Sequence, residues 1–269
     1  MIKQSFIPAL VLLASTSVHA EVISTLNNSF WTVLTNGSED QTTYKLTPGY
    51  GGQFFDAEYL LYNYDSSSHV LSLALQTGFD VTGDNKIQFS NDYYWGGDLA
   101  LSFDGITLGD SSTYEYAIDF GQASGGYSDR SSGVASLGSN AAGLYKVNSW
   151  PANNEIHFQA SNPFVMTSGS LDAAVTFGEG SGVNLSGAEG GNSTSYYKTM
   201  SFDLDDIDGL VLSNISSFDA HWTMSCGNDA IDGFADINAV PEPNVLLLLS
   251  TGLLGLIGSM AARRKRQLI

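Results

Sequence analysis

The stretch SSFDAHWTMSC, residues 216–226, decides the fold class. Phe218, Ala220, Trp222, Met224 and Cys226 fall on one side of an extended chain. Asp219, His221, Thr223 and Ser225 fall on the other. Alternation with period two marks a β-strand with one dry and one wet face, an arrangement that antiparallel sheets allow.

The same pattern recurs along the chain. VLSLALQTGF places Leu71, Leu73, Leu75, Thr77 and Phe79 on one face. Leu99, Leu101 and Phe103 repeat it, as do Tyr114, Tyr116, Ile118 and Phe120. Weaker strands are expected from Phe30, Thr43, Ala57, Gly143, Glu155, Asp172 and Tyr196. Gly121–Gly143 and Gly178–Ser195 are rich in Gly and Ser and read as mobile loops. No strong amphipathic helix appears between the chain ends. Short strands separated by Gly, Ser and Asn turns predict an all-β fold. The expected form is a two-sheet antiparallel sandwich, jelly-roll-like, with a single β-barrel as the alternative.

The ends differ from the body. Lys3, the apolar run Phe6–Ala14 and the small residues before Glu21 read as a secretory signal peptide, residues 1–20, cut between Ala20 and Glu21. At the other end Val245–Ala262 is apolar and uncharged. As a helix it would span about 27 Å, close to the thickness of a bilayer's hydrocarbon core. Arg263, Arg264, Lys265 and Arg266 follow it and would stay on the cytoplasmic side. Pro241 and Pro243 hold the approach to this transmembrane helix extended. The domains are therefore 1–20, a β-sandwich ectodomain at 21–238, and a C-terminal segment at 239–269.

Half of the ten bases lie in the two ends, which leaves five against 28 acids, a net charge of −23, over residues 21–262. Such a surface disfavours nucleic acid and anionic lipid as partners. Cys226 is the single cysteine, so no intrachain disulfide can form.

Pro241-Glu242-Pro243, the apolar span and the cluster Arg263–Arg266, in this order, resemble the PEP-CTERM sorting signal of Gram-negative bacteria. The resemblance implies recognition by an exosortase, a membrane cysteine transpeptidase. Cleavage near Pro-Glu-Pro and release or re-anchoring at the surface would follow, with the inner membrane a transient partner. Residues 55–83 and 221–233 are also similar to exosortase-dependent surface proteins, which carry no enzymatic role to transfer. The expectation is a non-catalytic surface or extracellular-matrix protein. The sorting family also implies association with exopolysaccharide and biofilm. A secreted polysaccharide-active enzyme, or a Ca-dependent carbohydrate-binding protein with the same tag, is the alternative.

Few residues carry a chemical signature. His221 and Cys226 are five apart, which puts them on opposite faces of a regular strand and argues against a nucleophilic dyad. Asp203, Asp205, Asp206 and Asp208, and Asp229 with Asp232, supply the hard oxygens that Ca2+ prefers, without EF-hand spacing. Asp80, Asp84 and Asn85 form a third such turn. Neither zinc nor phosphate-loop motifs occur. Tyr93, Tyr94 and Trp95 stand together in an expected turn and could stack on sugar rings.

Overall fold

The computed structural model describes residues 22–38, 52–103, 114–137, 140–150, 155–183 and 194–237. The expected signal peptide, transmembrane helix, sorting residues and Thr43 strand lie outside these. Among the described residues the elements are strands joined by turns and short 3-10 segments. In chain order the strands are β1 (Thr32–Ser38), β2 (Ala57–Asp65), β3 (Val70–Thr77), β4 (Lys86–Phe89) and β5 (Asp92–Trp95). There follow β6 (Leu99–Ser102), β7 (Tyr116–Asp119), β8 (Gly143–Ser149), β9 (Ser168–Ala173) and β10 (Thr176–Val183). Then come β11 (Thr194–Asp203), β12 (Ser217–Thr223) and β13 (Ala230–Asp236).

Eleven strands make one antiparallel sheet in the order β10, β11, β3, β2, β1, β13, β12, β6, β7, β8, β9. β4 and β5 form a separate hairpin. β1 is shared: Thr32 and Val33 pair with β2, and Thr35 pairs with β13. The two terminal strands of the sheet, β9 and β10, are consecutive in the chain and joined by Ala174 and Val175. The sheet thus curls until its ends meet at one corner. The all-β expectation holds. Two separate sheets do not form, because β1 and the β9–β10 corner carry the chain from one half into the other. Leu73, Leu75, Met200 and Phe202 from one half share a single core with Leu101, Ile118, Phe218 and Trp222 from the other.

The predicted wet faces are covered. The segment Val22–Trp31 lies over the outside of β2 and β3, where Ile23 and Leu26 pack on Leu61 and Ala74. The Ile23 amide donates to Gln76 Oε1 at 3.0 Å. Beside it, the buried carboxylate of Glu58 accepts from Gln53, Gln76 and Ser195, which satisfies its oxygens away from water. Over the other half runs the segment around Pro163. Met166 packs on Ala117 and Tyr145. Its amide donates to Asp98 Oδ2 at 2.9 Å, while the Asp98 amide donates to the Phe164 carbonyl at 2.9 Å. All seven residues of β12 are consequently buried, Asp219 and His221 included.

Two further local readings change. Glu155–Ala160 is bends and a 3-10 turn rather than a strand. Gly178–Val183, read as a loop, belongs to β10, whose eight residues pair in unbroken register with β11.

Asp98 yields a test. Burial pushes its carboxyl well above the usual carboxylate range, and Asp119 nearby adds to the shift. A carboxyl raised by folding contributes stability below its unfolded value, and this is lost as pH rises through the folded one. Asp98→Asn keeps an acceptor for the Met166 amide and cannot ionise. Its melting temperature should gain on that of the native protein as pH is raised from about 4 to about 8. A difference independent of pH would show that the carboxyl is not raised.

Candidate functional site: a cleft beside the β4–β5 hairpin

The hairpin pairs Lys86 with Trp95, Ile87 with Tyr94 and Gln88 with Tyr93. Strand alternation therefore divides the three neighbouring aromatics. Tyr94 goes with Ile87 towards the main core and meets Phe55 edge-on at 5.0 Å between ring centres. Trp95, 2 % exposed, packs on Ile156, Phe164 and Val165. Tyr93 lies beneath the Lys86 ammonium, 5.4 Å from the ring centre. Tyr93, Tyr94 and Trp95 stand in β5 rather than in a turn, and they form no common exposed platform.

Next to the hairpin is a cleft of about 310 Å3. Asp84, Lys86 and Trp95 line it, together with Gly121, Gln122, Ala123, Gly133 and Ala135. The loop that supplies these last five residues is built around Asp129. Its Oδ2 accepts from the Gly126 amide at 3.0 Å and from the amide and hydroxyl of Ser136. Ser124 and Leu137 exchange backbone hydrogen bonds across the loop base. Gly133 has a φ of +66°, and an added Cβ would stand 2.6 Å from the Tyr93 ring. This position needs glycine on both counts.

The polar wall is anchored from behind. The Gln122 side-chain amide donates to the Gly83 carbonyl, and its oxygen accepts from Lys198 Nζ at 3.3 Å. Lys198 is buried, lies over the Phe120 ring and pairs with Glu179 at 3.4 Å. Burial lowers the Lys198 pKa, and the Glu179 charge works against that shift. Asp80 caps its own turn by accepting from the amide and hydroxyl of Thr82.

The other sequence candidates have structural partners. His221 Nδ1 faces Asp232, and Nε2 lies 3.1 Å from the Ser161 carbonyl. A carbonyl only accepts, so Nε2 donates there. Cys226 belongs to the main core with Trp222 and Met224, on the opposite side from His221, so the two make no dyad. Burial pushes its thiol up to about 12. Native Cys226 should stay unlabelled by a thiol reagent and react fully once denaturant is added. Fast labelling of the native protein would place the thiol at the surface.

Nor do the aspartates gather. Among the described residues no three acid, histidine or cysteine side chains stand where they could hold a metal ion. Asp203 caps the turn after β11 by accepting from the Asp205 amide. Asp205 pairs with His69 at 2.8 Å, and Asp206 and Asp208 are exposed. Asp229 is buried and accepts from the amides of Ala57 and Ala230.

Residues 239–266 match the PEP-CTERM protein-sorting motif. No curated protein and no solved structure matches the chain. The motif implies export, transient anchoring by the C-terminal segment, and processing by an exosortase on the way to the cell surface.

Proposed function

We propose that the β-domain is the non-catalytic cargo of this sorting motif, a surface or matrix protein that binds exopolysaccharide. The observation that carries the reading is the sorting motif itself. It begins at residue 239, two residues beyond Ile237, a residue of the domain core. The folded domain and the sorting device thus adjoin directly.

The chemistry of the cleft supports binding over hydrolysis. Glycoside hydrolysis uses two carboxyl groups about 5 to 10 Å apart. Among the described residues the cleft lining contributes one, Asp84. The excess of acids over bases favours a neutral polysaccharide over a polyanion.

The test mixes mature protein with exopolysaccharide extracted from the producing cells. The protein should sediment with the polymer, and reducing ends should not increase with time. Steady release of reducing ends would overturn the non-catalytic reading. Absence of co-sedimentation would overturn the binding one.

A further inference from the structure

We infer that the cleft beside the β4–β5 hairpin is a saccharide subsite, which takes one or two neutral sugar units of a polymer chain. This rests on the exopolysaccharide reading above and assigns it a place. Three features of the cleft point to it.

The first is that small residues line the space, two of them glycines whose added Cβ would strike Ala142 or the Tyr93 ring. Gly121, Ala123, Gly133 and Ala135 line it and carry no side chain beyond a methyl group. Gly121 and Gly133 both adopt left-handed backbone, at φ +77° and +66°. The loop therefore holds its shape without filling the cleft. A volume of about 310 Å3 lies at the small end of ligand pockets, which suits a short polar ligand.

The second is the state of Lys86. Acids outnumber bases 28 to 10 in the whole chain, yet Lys86 makes no ion pair among the described residues. Its ammonium sits over the Tyr93 ring instead. N–H donors of this ammonium that do not face the ring are thus available to the cleft. Asp84, also in the lining, supplies acceptors.

The third is Gln122. Its two bonds, to Gly83 and from Lys198, fix the carboxamide plane. One N–H and one lone pair of that amide remain for a ligand. Donors and acceptors lining one cleft match the vicinal hydroxyls of a pyranose, whose every O–H both donates and accepts. A polyanion would meet Asp84 and the acidic surface around it, so the charge balance selects neutral sugars.

The experiment uses the secreted mature protein, the extracted exopolysaccharide and neutral oligosaccharides prepared from it by partial hydrolysis. Affinity is read by calorimetry. Lys86→Ala removes the donors, and Ala123→Trp fills the cleft from an exposed position. Both variants should melt with the native protein, and both should bind at least about tenfold more weakly. Native-like affinity in Ala123→Trp would overturn the subsite and leave polysaccharide binding standing elsewhere on the domain. Absence of binding by the native protein would overturn both. Should Lys86→Ala fail to fold, Lys86→Met, which keeps the apolar stem, replaces it under the same expectation.

Discussion

Replacing Pro241, Glu242 and Pro243 together by alanine is expected to abolish processing of the C-terminal segment. Material recovered from the native cell surface should end at or before this tripeptide. The variant should retain Arg263–Arg266 and fractionate with the inner membrane. Proline fixes φ and has no backbone N–H, so Pro-Glu-Pro disfavours a helix across this peptide. Alanine is the strongest helix former. If the apolar run 245–262 forms the expected helix, three alanines would let it grow backwards and withdraw the scissile region into regular structure. Intact-mass measurement of surface and membrane fractions decides the matter. Tail-free surface protein from the variant, at native levels, would show that the tripeptide is not what the processing enzyme reads.

Trp222→Ala should cause the largest loss of stability. Trp222 is fully buried at the centre of the core. Its indole meets the Phe79 ring edge-on at 6.1 Å. Its Nε1–H donates to the Gly97 carbonyl at 3.1 Å, tying β12 to the chain entering β6. Truncating a buried tryptophan costs about 3–5 kcal/mol. The stranded carbonyl adds about 1–3 kcal/mol. Against a total stability of about 5–15 kcal/mol for a natural domain, most of the margin disappears. The urea midpoint should fall steeply with little change in slope. Trp222→Phe, which keeps one aromatic ring and loses the donor and part of the indole volume, should fall much less. A loss below about 1 kcal/mol for the alanine variant would mean that the core refills the space.

The strands that could be read from the sequence are those whose side chains alternate. β3 and β12 announce themselves through Leu71, Leu73 and Leu75, and through Phe218, Ala220 and Trp222. β10 could not be read in this way. Gly178, Gly180 and Gly182 have no side chains to alternate, and only the backbone ladder to β11 makes the segment a strand. Alternation also says nothing about what crosses an outer face. Asp219 and His221 look solvated because they are polar, yet the chain around Ser161 lies over His221, and its carbonyl accepts a hydrogen bond from Nε2. The candidate site was partly visible. Asp84 and Trp95 attract notice by type, whereas the Gly and Ala positions that line the cleft have no chemistry to signal it. The Asp129 hub that orders this loop joins residues such as Gly126 and Ser136 whose spacing follows no recurrent motif.

One last consequence concerns force. β13 lies inside the sheet, between β1 and β12, and the sorting motif starts three residues after its end. Were the mature domain held at the surface by that end, tension would run along β13. Seven residues of β13 are in register with β12, and Phe234 pairs with Thr35 of β1 on the other side. Tension would load these bonds together, lengthwise. A tether on an edge strand would instead open its ladder one pair at a time. The position of the last strand thus suits the domain to bear load at the end where the motif follows.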